Sequence, residues 1–328
     1  MAVINFVNAS GHRGTLRHLL PALKVPTRRW SYERLVRQPR LPRGTWIFTD
    51  HERLSAFETR VAASVAQQLR QAGCKVLNHP AEVRTRFGLL DALQAAGINA
   101  FRAFRADESP VPSRFPVFIR WEYDHRGGRE LIANQADLDA ALGRERAEGV
   151  PLIGRLVIEC ASEEASPGIW YRGSAYRVAD AIIGHHLALD DKWLVKDGFD
   201  AARLDTYAHR DEFLARERAL VVDAVYSDLL RRVFDIAGIE YGRADFGFVG
   251  DRLQIYEINT NPSHGAAADV FGNIHPGREQ TQRFSEQRLH EALEAISSDD
   301  AGSVPISGPL LASQRRLFPL LPTMMRRP

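Results

Sequence analysis

Several protein classes are excluded by what this chain has little of. Its 328 residues include only two cysteines, Cys74 and Cys160, in no metal-binding spacing, so we expect neither a disulfide scaffold nor a zinc site. Lysine and arginine total 43 against 41 aspartates and glutamates, which leaves no strong field for nucleic acid or an anionic membrane. No apolar run reaches the roughly 18 residues of a membrane span, and no signal peptide pattern occurs. These absences predict a cytoplasmic protein that binds neither nucleic acid nor membrane.

The chain also lacks a standard glycine-rich phosphate motif. Residues 8–14, reading NASGHRG, follow the first apolar segment, but their glycine spacing fits neither a dinucleotide fingerprint nor a P-loop. Open α/β sheets place ligands at such loops, so this one is either a ligand loop or a plain strand-to-helix turn.

The first 80 residues alternate between strand and helix patterns. Residues 3–7 and 45–49 are apolar strand segments, residues 54–72 have helical spacing up to Gly73, and residues 75–77 form a further strand. Strands separated by helices predict a small parallel sheet, here an N-terminal α/β domain over residues 1–80.

The middle of the chain mixes helices with antiparallel strands. Helices are predicted over residues 82–96, 135–146, 210–237 and 279–296. Strands are predicted over residues 116–123, 129–133, 156–160, 170–183 and 185–189, with a turn at Gly184. Residues 301–328 contain several prolines and arginines without periodicity, so this tail is either disordered or packed on a second subunit of a homo-oligomer.

The segment 242–262, reading GRADFGFVGDRLQIYEINTNP, is the most informative in the chain. We interpret it as a β-hairpin with a three-residue loop over residues 250–252, which places Asp245 opposite Glu257 and Arg243 opposite Asn259. Opposite residues share a face, so four polar groups converge on one side. Gly247 shares that side and leaves room for a ligand. The other side is predicted to be apolar and contains Ala244, Phe246, Phe248, Tyr256 and Ile258.

The converging side chains predict a metal–phosphate site. Two carboxylates and an amide oxygen are the ligand types that Mg²⁺, or Mn²⁺, accepts, and Mg²⁺ commonly shares its remaining positions with phosphate oxygens. Arg243 can hold a phosphate or carboxylate with two hydrogen bonds. The alternative is an ordinary salt-bridged hairpin with a solvated face.

With these residues, the chain over about 75–262 resembles the ATP-grasp family, and within it carboxylate-amine ligases of the D-alanine–D-alanine ligase and glutathione synthetase kind. The resemblance implies an α/β fold, an ATP-grasp α+β arrangement in which two subdomains clasp ATP after the small N-terminal parallel-sheet domain. It implies that Asp245, Glu257 and Asn259 hold Mg²⁺ on the ATP phosphates and that Arg243 acts in catalysis. The subdomains are expected at residues 81–158 and 159–300, followed by the tail 301–328.

Further nucleotide contacts are implied by position within the family pattern. Arg86 and Arg120 take places where the family uses basic residues on ATP phosphates, and Arg120 is also a catalytic candidate. Residues 124–128, reading DHRGG, take the place of the glycine-rich loop over the phosphates, or form only a hairpin turn. Glu159 is the candidate at the adenine edge. Either Lys192 or Lys196 reaches the nucleotide.

Substrate contacts are less defined by the sequence. Arg172 and Arg177 lie near the outward side of predicted strands, where they either hold an anionic substrate or face water. His264 either binds substrate and accepts a proton or only packs its loop. The expected function is an ATP- and Mg²⁺-dependent ligase that activates a small-molecule carboxylate as an acyl-phosphate for attack by an amine. An ATP-grasp kinase and a non-catalytic nucleotide-binding protein remain open as alternatives.

Overall fold

A parallel sheet forms from the apolar segments at the start of the chain. The computed structural model describes residues 2–12, 14–123, 130–196, 198–263, 274–299 and 301–317. In chain order, the first strands are β1 (Ala2–Asn8), β2 (Thr27–Ser31), β3 (Arg40–Pro42), β4 (Thr45–Phe48) and β5 (Val76–Leu77). The first helices are α1 (Leu19–Ala22), α2 (Tyr32–Arg37) and α3 (Ala56–Gln71).

The predicted parallel pairing is confirmed around β1. This strand pairs in parallel with β2 on one side and β4 on the other, and β4 pairs in parallel with β5. Ser55 and Glu58 form a reciprocal capping box that begins α3, whose apolar face is buried through Val61, Val65 and Leu69. The sequence prediction missed β2 because its polar residues Arg28 and Arg29 are exposed at the edge of the sheet.

A smaller antiparallel sheet follows. It has the strand order β6 (Ala103–Arg105), β8 (Arg155–Glu159) and β7 (Val117–Trp121), and helices α4 (Arg86–Ala95) and α5 (Gln135–Ala147) belong to this part of the chain. The predicted return strand over 129–133 is reduced, among described residues, to one bridge between Val117 and Ile132. The loop predicted over residues 124–128 lies outside the described residues.

The largest sheet is antiparallel and carries the hairpin. Its main order is β11 (Ala181–Asp190), β10 (Ile169–Val178), β12 (Tyr241–Val249) and β13 (Arg252–Asn259), and β9 (Glu164–Ser166) pairs with β10. The helices of this part are α6 (Ala201–Asp205), α7 (Arg210–Val221), α8 (Ser227–Ala237) and α9 (Pro276–Ala295). No helix among the described residues is both long enough and apolar enough to cross a bilayer.

Two boundary predictions in this region were wrong. The turn between β10 and β11 lies at Ala179, which has a φ of 51°, and Gly184 lies inside β11. A Cβ at Gly184 would stand 2.3 Å from the carbonyl oxygen of Leu220, so glycine there permits a close approach of α7 to the strand. The predicted helix 210–237 is two helices, separated near Ala224, whose φ is 55°.

The described residues after 300 pack on the N-terminal unit of the same chain. Just before them, β14 (Ser298–Asp299) pairs with β1. Next in the chain, β15 (Ser303–Pro305) pairs antiparallel with β3, and α10 (Pro309–Leu317) packs against α2 and α3. Val304, Ile306 and Leu311 are buried in the core of that unit. Residues 303–313 therefore pack within their own chain, whereas residues 318–328 of the predicted tail lie outside the described residues.

The N-terminal sheet and the largest sheet share one apolar cluster. Ile4 and Phe6 of β1 meet Tyr176 and Tyr241 there, together with Leu293 of α9. Asn78 fixes the same junction: its Nδ2 donates to the carbonyls of Phe48 and Tyr241, and its Oδ1 accepts from the backbone N–H groups of Glu240 and Tyr241. The start of the hairpin is therefore held against the end of the parallel sheet.

Candidate functional site

The hairpin brings the predicted polar pairs into register. Arg243 pairs with Asn259 and Asp245 pairs with Glu257, as the sequence predicted. The loop itself is shorter than predicted, because Val249 pairs with Arg252 and not with Leu253. That difference shifts the register by one residue near the loop, and a β-bulge between Asp245 and Phe246 restores it before the site.

Tyr256 is the extra residue of the bulge, and its position corrects two predictions. It was expected on the apolar side, yet its ring covers Gly247: a Cβ on Gly247 would lie 2.0 Å from the Tyr256 hydroxyl. Gly247 therefore makes room for this tyrosine and not for a ligand. Asn99 holds the outer edge of the strand beside the bulge, where its side chain exchanges hydrogen bonds with the backbone of Ile255 at 2.9 and 2.8 Å.

Asp245 is a buried carboxylate beside two arginines. Its Oδ1 accepts from Arg243 Nε at 3.2 Å, and Arg172 Nη1 lies 3.8 Å from its Oδ2. Burial is the largest single cause and lowers the pKa of Arg243, but the Asp245 carboxylate and Tyr176 together outweigh it, so the pKa of Arg243 is raised. Arg243 therefore stays charged at the centre of the site.

Glu257 also lies between two arginines. Arg120 Nη2 approaches its Oε2 at 3.2 Å, and Arg86 Nη2 donates a short hydrogen bond to the same oxygen. Arg86 is anchored further by donating to the carbonyls of Trp121 and Glu122 at 2.9 and 2.8 Å. Together, four guanidinium groups surround the two carboxylates, an excess of two positive charges that favours an anionic ligand such as a polyphosphate.

The metal prediction depends on oxygen donors from the two strands. Among the described residues, no group of three or more His, Cys, Asp or Glu side chains is placed to hold a metal ion. The donor set is Asp245, Glu257 and the amide oxygen of Asn259, which accepts one hydrogen bond from the backbone N–H of Asn261 at 2.8 Å and keeps a second lone pair. Because these are hard oxygen donors on facing residues of one ladder, they fit Mg²⁺ or Mn²⁺.

A first cavity of about 480 Å³ opens over this face of the hairpin. One part of its wall is aromatic: Phe118 and Trp193 have ring centroids 5.1 Å apart, and Phe101 lies 6.3 Å from Tyr256. The extended segment 160–162 also lines it. Another part of the wall is polar and contains Arg120, Arg172, Lys196, Arg243, Asp245, Glu257 and Asn259. A flat aromatic ring and an anionic group thus have separate places in one cavity.

Glu159 lines this cavity but has other partners. Its carboxylate accepts hydrogen bonds from the backbone N–H groups of Arg102, Ser113 and Arg114 and from the Ser113 hydroxyl. These contacts tie the end of β8 to residues 113–114. The neighbouring Ala161 offers a backbone edge instead, and its carbonyl already accepts from the Tyr256 hydroxyl at 3.1 Å.

The remaining predicted residues differ in whether they reach the first cavity. Lys196 and Arg172 reach the first cavity, where Arg172 Nη2 donates to the Lys196 carbonyl at 2.9 Å, whereas Lys192 is exposed and does not line it. Arg177 lies away from the site and pairs with Asp235 at 2.6 Å. His264 lies outside the described residues.

A second cavity meets the first at the hairpin. Its volume is about 790 Å³, and its wall shares Glu257 and Asn259 with the first cavity. Arg86 lines this second cavity and not the first, so the structure places it on the other side of Glu257 from the predicted nucleotide. The rest of the wall comes largely from residues 51–60 and 80–89.

Sequence reasoning missed the polar group around Asp50, whose partners His12 and Asn261 line the first cavity. Asp50 is fully buried and accepts from the backbone N–H of Ala9 at 2.8 Å, from Asn261 Nδ2 at 3.0 Å and from His12 Nδ1 at 3.0 Å. Thr260 Oγ1 accepts from the Asp50 backbone N–H at 3.0 Å. The signals available in sequence were the NASGHRG loop and the residues that follow Asn259, but nothing in either connects them to Asp50.

Solved structures provide the comparison with known proteins. The structure of the ATP-grasp ligase PsnB with a minimal precursor is similar at a TM-score of 0.50 and 12% identity, covering 90% of this chain and 99% of that one. A RimK domain ATP-grasp protein from Sphaerobacter thermophilus gives 0.47 and 13%, with coverage of 89% and 99%. D-alanine–D-alanine ligase from Bacillus anthracis, solved with ATP, gives 0.45 and 13%, with coverage of 89% and 99%.

Comparison by sequence finds no similar protein, whereas comparison by structure does. No family model matches the chain, and no curated protein matches it. The similarity to PsnB nevertheless extends over nearly the whole of both chains. The hairpin, the two antiparallel sheets and the parallel N-terminal sheet agree with that similarity. The chain therefore has the ATP-grasp fold.

Proposed function

We propose that this protein is an ATP- and Mg²⁺-dependent ligase that activates a carboxylate for attack by an amine. The observation that carries the proposal is the hairpin register, which sets Asp245 against Glu257 and Arg243 against Asn259 on the wall of a cavity with an aromatic part. PsnB, with which the chain shares its fold, is an ATP-grasp ligase.

The first cavity is the proposed nucleotide site. Adenine would lie against Phe118 and Trp193, with the backbone edge of Ala161 in reach, because this is the flat apolar part of the wall. The triphosphate would lie along Arg120, Lys196 and Arg243, since the excess of positive charge is there. Arg86 would act differently from the sequence prediction, by holding Glu257 in place from behind.

Asp245, Glu257 and Asn259 would hold the magnesium ion, which when bound neutralises phosphate charge. The protein's own contribution is positioning and electrostatic stabilisation. A substrate carboxylate attacks the γ-phosphorus and displaces ADP, and Arg243 and Arg120 stabilise the charge on the transferred group. An amine then attacks the resulting acyl-phosphate and displaces inorganic phosphate.

The substrates are proposed to reach the reacting end from the second cavity, because that cavity also borders Glu257 and Asn259. Arg172 stays a candidate for an anionic substrate group or a phosphate, and Arg177 is reassigned to a structural ion pair. His264 stays a candidate substrate ligand. We keep residues 1–80, 81–158 and 159–300 as the proposed domains and assign residues 301–317 to the first of them. The cytoplasm remains the proposed location, consistent with two free cysteines.

The test measures ADP, inorganic phosphate and hydroxamate across amino acids and peptides, with hydroxylamine as the trap for an acyl-phosphate. The wild type should form all three with at least one acid. Glu257→Gln should lower turnover by about 100-fold or more while the melting temperature is preserved. Arg177→Met, on β10 but away from the cavity, is the matched control and should retain turnover.

Other outcomes contradict the ligase proposal. ADP formation with a stable phosphorylated product and no inorganic phosphate indicates a kinase. Stabilisation by Mg·ATP with no ADP formed from any acid indicates a non-catalytic nucleotide-binding protein. Full turnover in Glu257→Gln would overturn the metal assignment.

A further inference from the structure

Among its described residues, the NASGHRG loop contributes one titratable side chain, that of His12, to the first cavity. His12 lines the wall in company with Thr15, Asn261 and Ser263, and its side chain is 25% exposed. Its backbone carbonyl accepts from Thr15 Oγ1 at 2.9 Å, and Thr15 Oγ1 also lies 2.7 Å from Asn261 Oδ1. The loop is thereby attached to the residues that follow the metal hairpin.

The ring of His12 is oriented by Asp50. His12 Nδ1 lies 3.0 Å from Asp50 Oδ1, and Asp50 is fixed from the backbone of Ala9 and the side chain of Asn261. Because a buried carboxylate only accepts, Nδ1 carries the proton and Nε2 presents a lone pair. Among the residues that the structure describes, Nε2 has no hydrogen-bond partner.

The backbone of Asp50 has an unfavourable conformation that a simple contact between domains would not require. Asp50 adopts a left-handed conformation with a φ of 57°, which is unfavourable for a residue other than glycine. It places a fully buried carboxylate between the N-terminal loop and residues 260–261, and among the described residues His12 is its only ionisable hydrogen-bond donor. An aspartate that orients one histidine nitrogen while the other faces a cavity is the arrangement that activates bases in many hydrolases.

We propose that His12 is the general base of the second half-reaction, and that Asp50 is its positioning residue. This inference rests on the proposed ligase function. The nucleophile would be an amine that enters the reaction as its ammonium form, which has no lone pair to attack with. The other charged side chains on the wall of this cavity are those of Arg120, Glu159, Arg172, Lys196, Arg243, Asp245 and Glu257.

Attack of the amine on the acyl-phosphate is balanced in atoms and in charge. His12 Nε2 takes one proton from the ammonium nitrogen, the freed lone pair forms the C–N bond, and the C–O bond to phosphate breaks with its electron pair leaving on inorganic phosphate. The second proton lost from the nitrogen passes to the departing phosphate, so the product is a neutral amide. The histidine then returns its proton to water. No oxidant, reductant or further co-reactant is required.

The first experiment compares two nucleophiles in His12→Gln. Hydroxylamine is largely unprotonated at neutral pH and needs no protein base, so hydroxamate formation should stay within about threefold of wild type. Transfer to the amine that the wild type uses should fall roughly 100-fold at neutral pH. The deficit should shrink as pH rises and the amine loses its proton in solution. His18→Gln, six residues along and outside the cavity wall, should change neither rate.

Equal losses with both nucleophiles would overturn the proposal and leave His12 a structural residue. A wild type that forms no ADP with any acid would instead contradict the ligase function. A second measurement needs no substrate. Nitrogen NMR of the protein made with isotope-labelled histidine reports which ring nitrogen of His12 carries the proton. The expected spectrum shows the neutral ring with its proton on Nδ1 and none on Nε2. A neutral ring with its proton on Nε2 would exclude the base.

Discussion

The molecule has two carboxylate centres, Asp245 with Glu257 on the hairpin and Asp50 after β4, and the two centres have different partners. Asp245 and Glu257 meet arginine side chains, whereas Asp50 meets a backbone N–H, an amide and a histidine. The first centre has more positive than negative charge and is suited to exchange partners with a phosphate or a metal. The second has its acceptor positions filled by groups fixed in the fold. We therefore call Asp245 and Glu257 the binding centre and Asp50 the orienting centre.

The largest expected effect comes from removing the orienting carboxylate. Asp50→Ala would leave the N–H of Ala9, the amide of Asn261 and the ring of His12 without their acceptor and would put alanine at a φ of 57°. We expect a loss of about 4 kcal/mol in the free energy of unfolding, measured by urea denaturation. Asp50→Asn keeps one oxygen acceptor and should lose clearly less. A loss below about 1 kcal/mol in Asp50→Ala would remove the distinction between the two centres.

A smaller effect should reveal the charge excess of the binding centre. Inorganic pyrophosphate without added metal should raise the melting temperature by roughly 2–4 °C at saturation, because it binds the folded state alone. Arg172→Met should abolish most of this shift and Arg177→Met should preserve it, since both residues are on β10 but only Arg172 borders the cavity. High salt should weaken the shift. An equal shift in the two variants would mean that pyrophosphate binds elsewhere.

The smallest effect concerns His51, which follows Asp50 directly. Burial, as the main cause, lowers the pKa of His51 to about 4, while its Nε2 lies 3.1 Å from the Phe48 carbonyl. The unfolded chain therefore takes up a proton near its ordinary pKa of about 6.5 while the folded protein does not, so stability is full above that pH and falls as pH approaches 4. His51→Gln should lose about 1–2 kcal/mol less stability than wild type between pH 7 and pH 5. Parallel pH profiles of the two proteins would contradict the lowered pKa.

Local pattern was sufficient for much of the fold. Apolar segments separated by a helix that ends at Gly73 predicted the parallel sheet, and the alternation around Asp245 and Glu257 predicted the hairpin. These predictions worked because one face of each element is buried, so a period of two or of 3.6 residues is visible in the sequence. The two wrong boundaries, at Gly184 and near Ala224, depend on packing with distant residues.

The hairpin itself shows the limit of register arguments. Its predicted pairs are correct, but the loop is one residue shorter than predicted and a bulge at Tyr256 compensates. Nothing local in the sequence distinguishes a three-residue loop from a shorter loop with a bulge. Asn99, which lies more than 150 residues earlier in the chain, braces the strand at that point.

The sequence by itself determined which residue types lie together on the hairpin, since strand geometry alone puts Arg243, Asp245, Glu257 and Asn259 on one face. Only the tertiary structure decided which distant residues reach that face: Arg172 and Lys196 but not Arg177 or Lys192, and Arg86 on the far side of Glu257. It also decided that His12, Asp50 and Asn261 meet. The physical reason is that strand periodicity acts between neighbours along the chain, whereas contacts between separate segments depend on how whole sheets pack against one another.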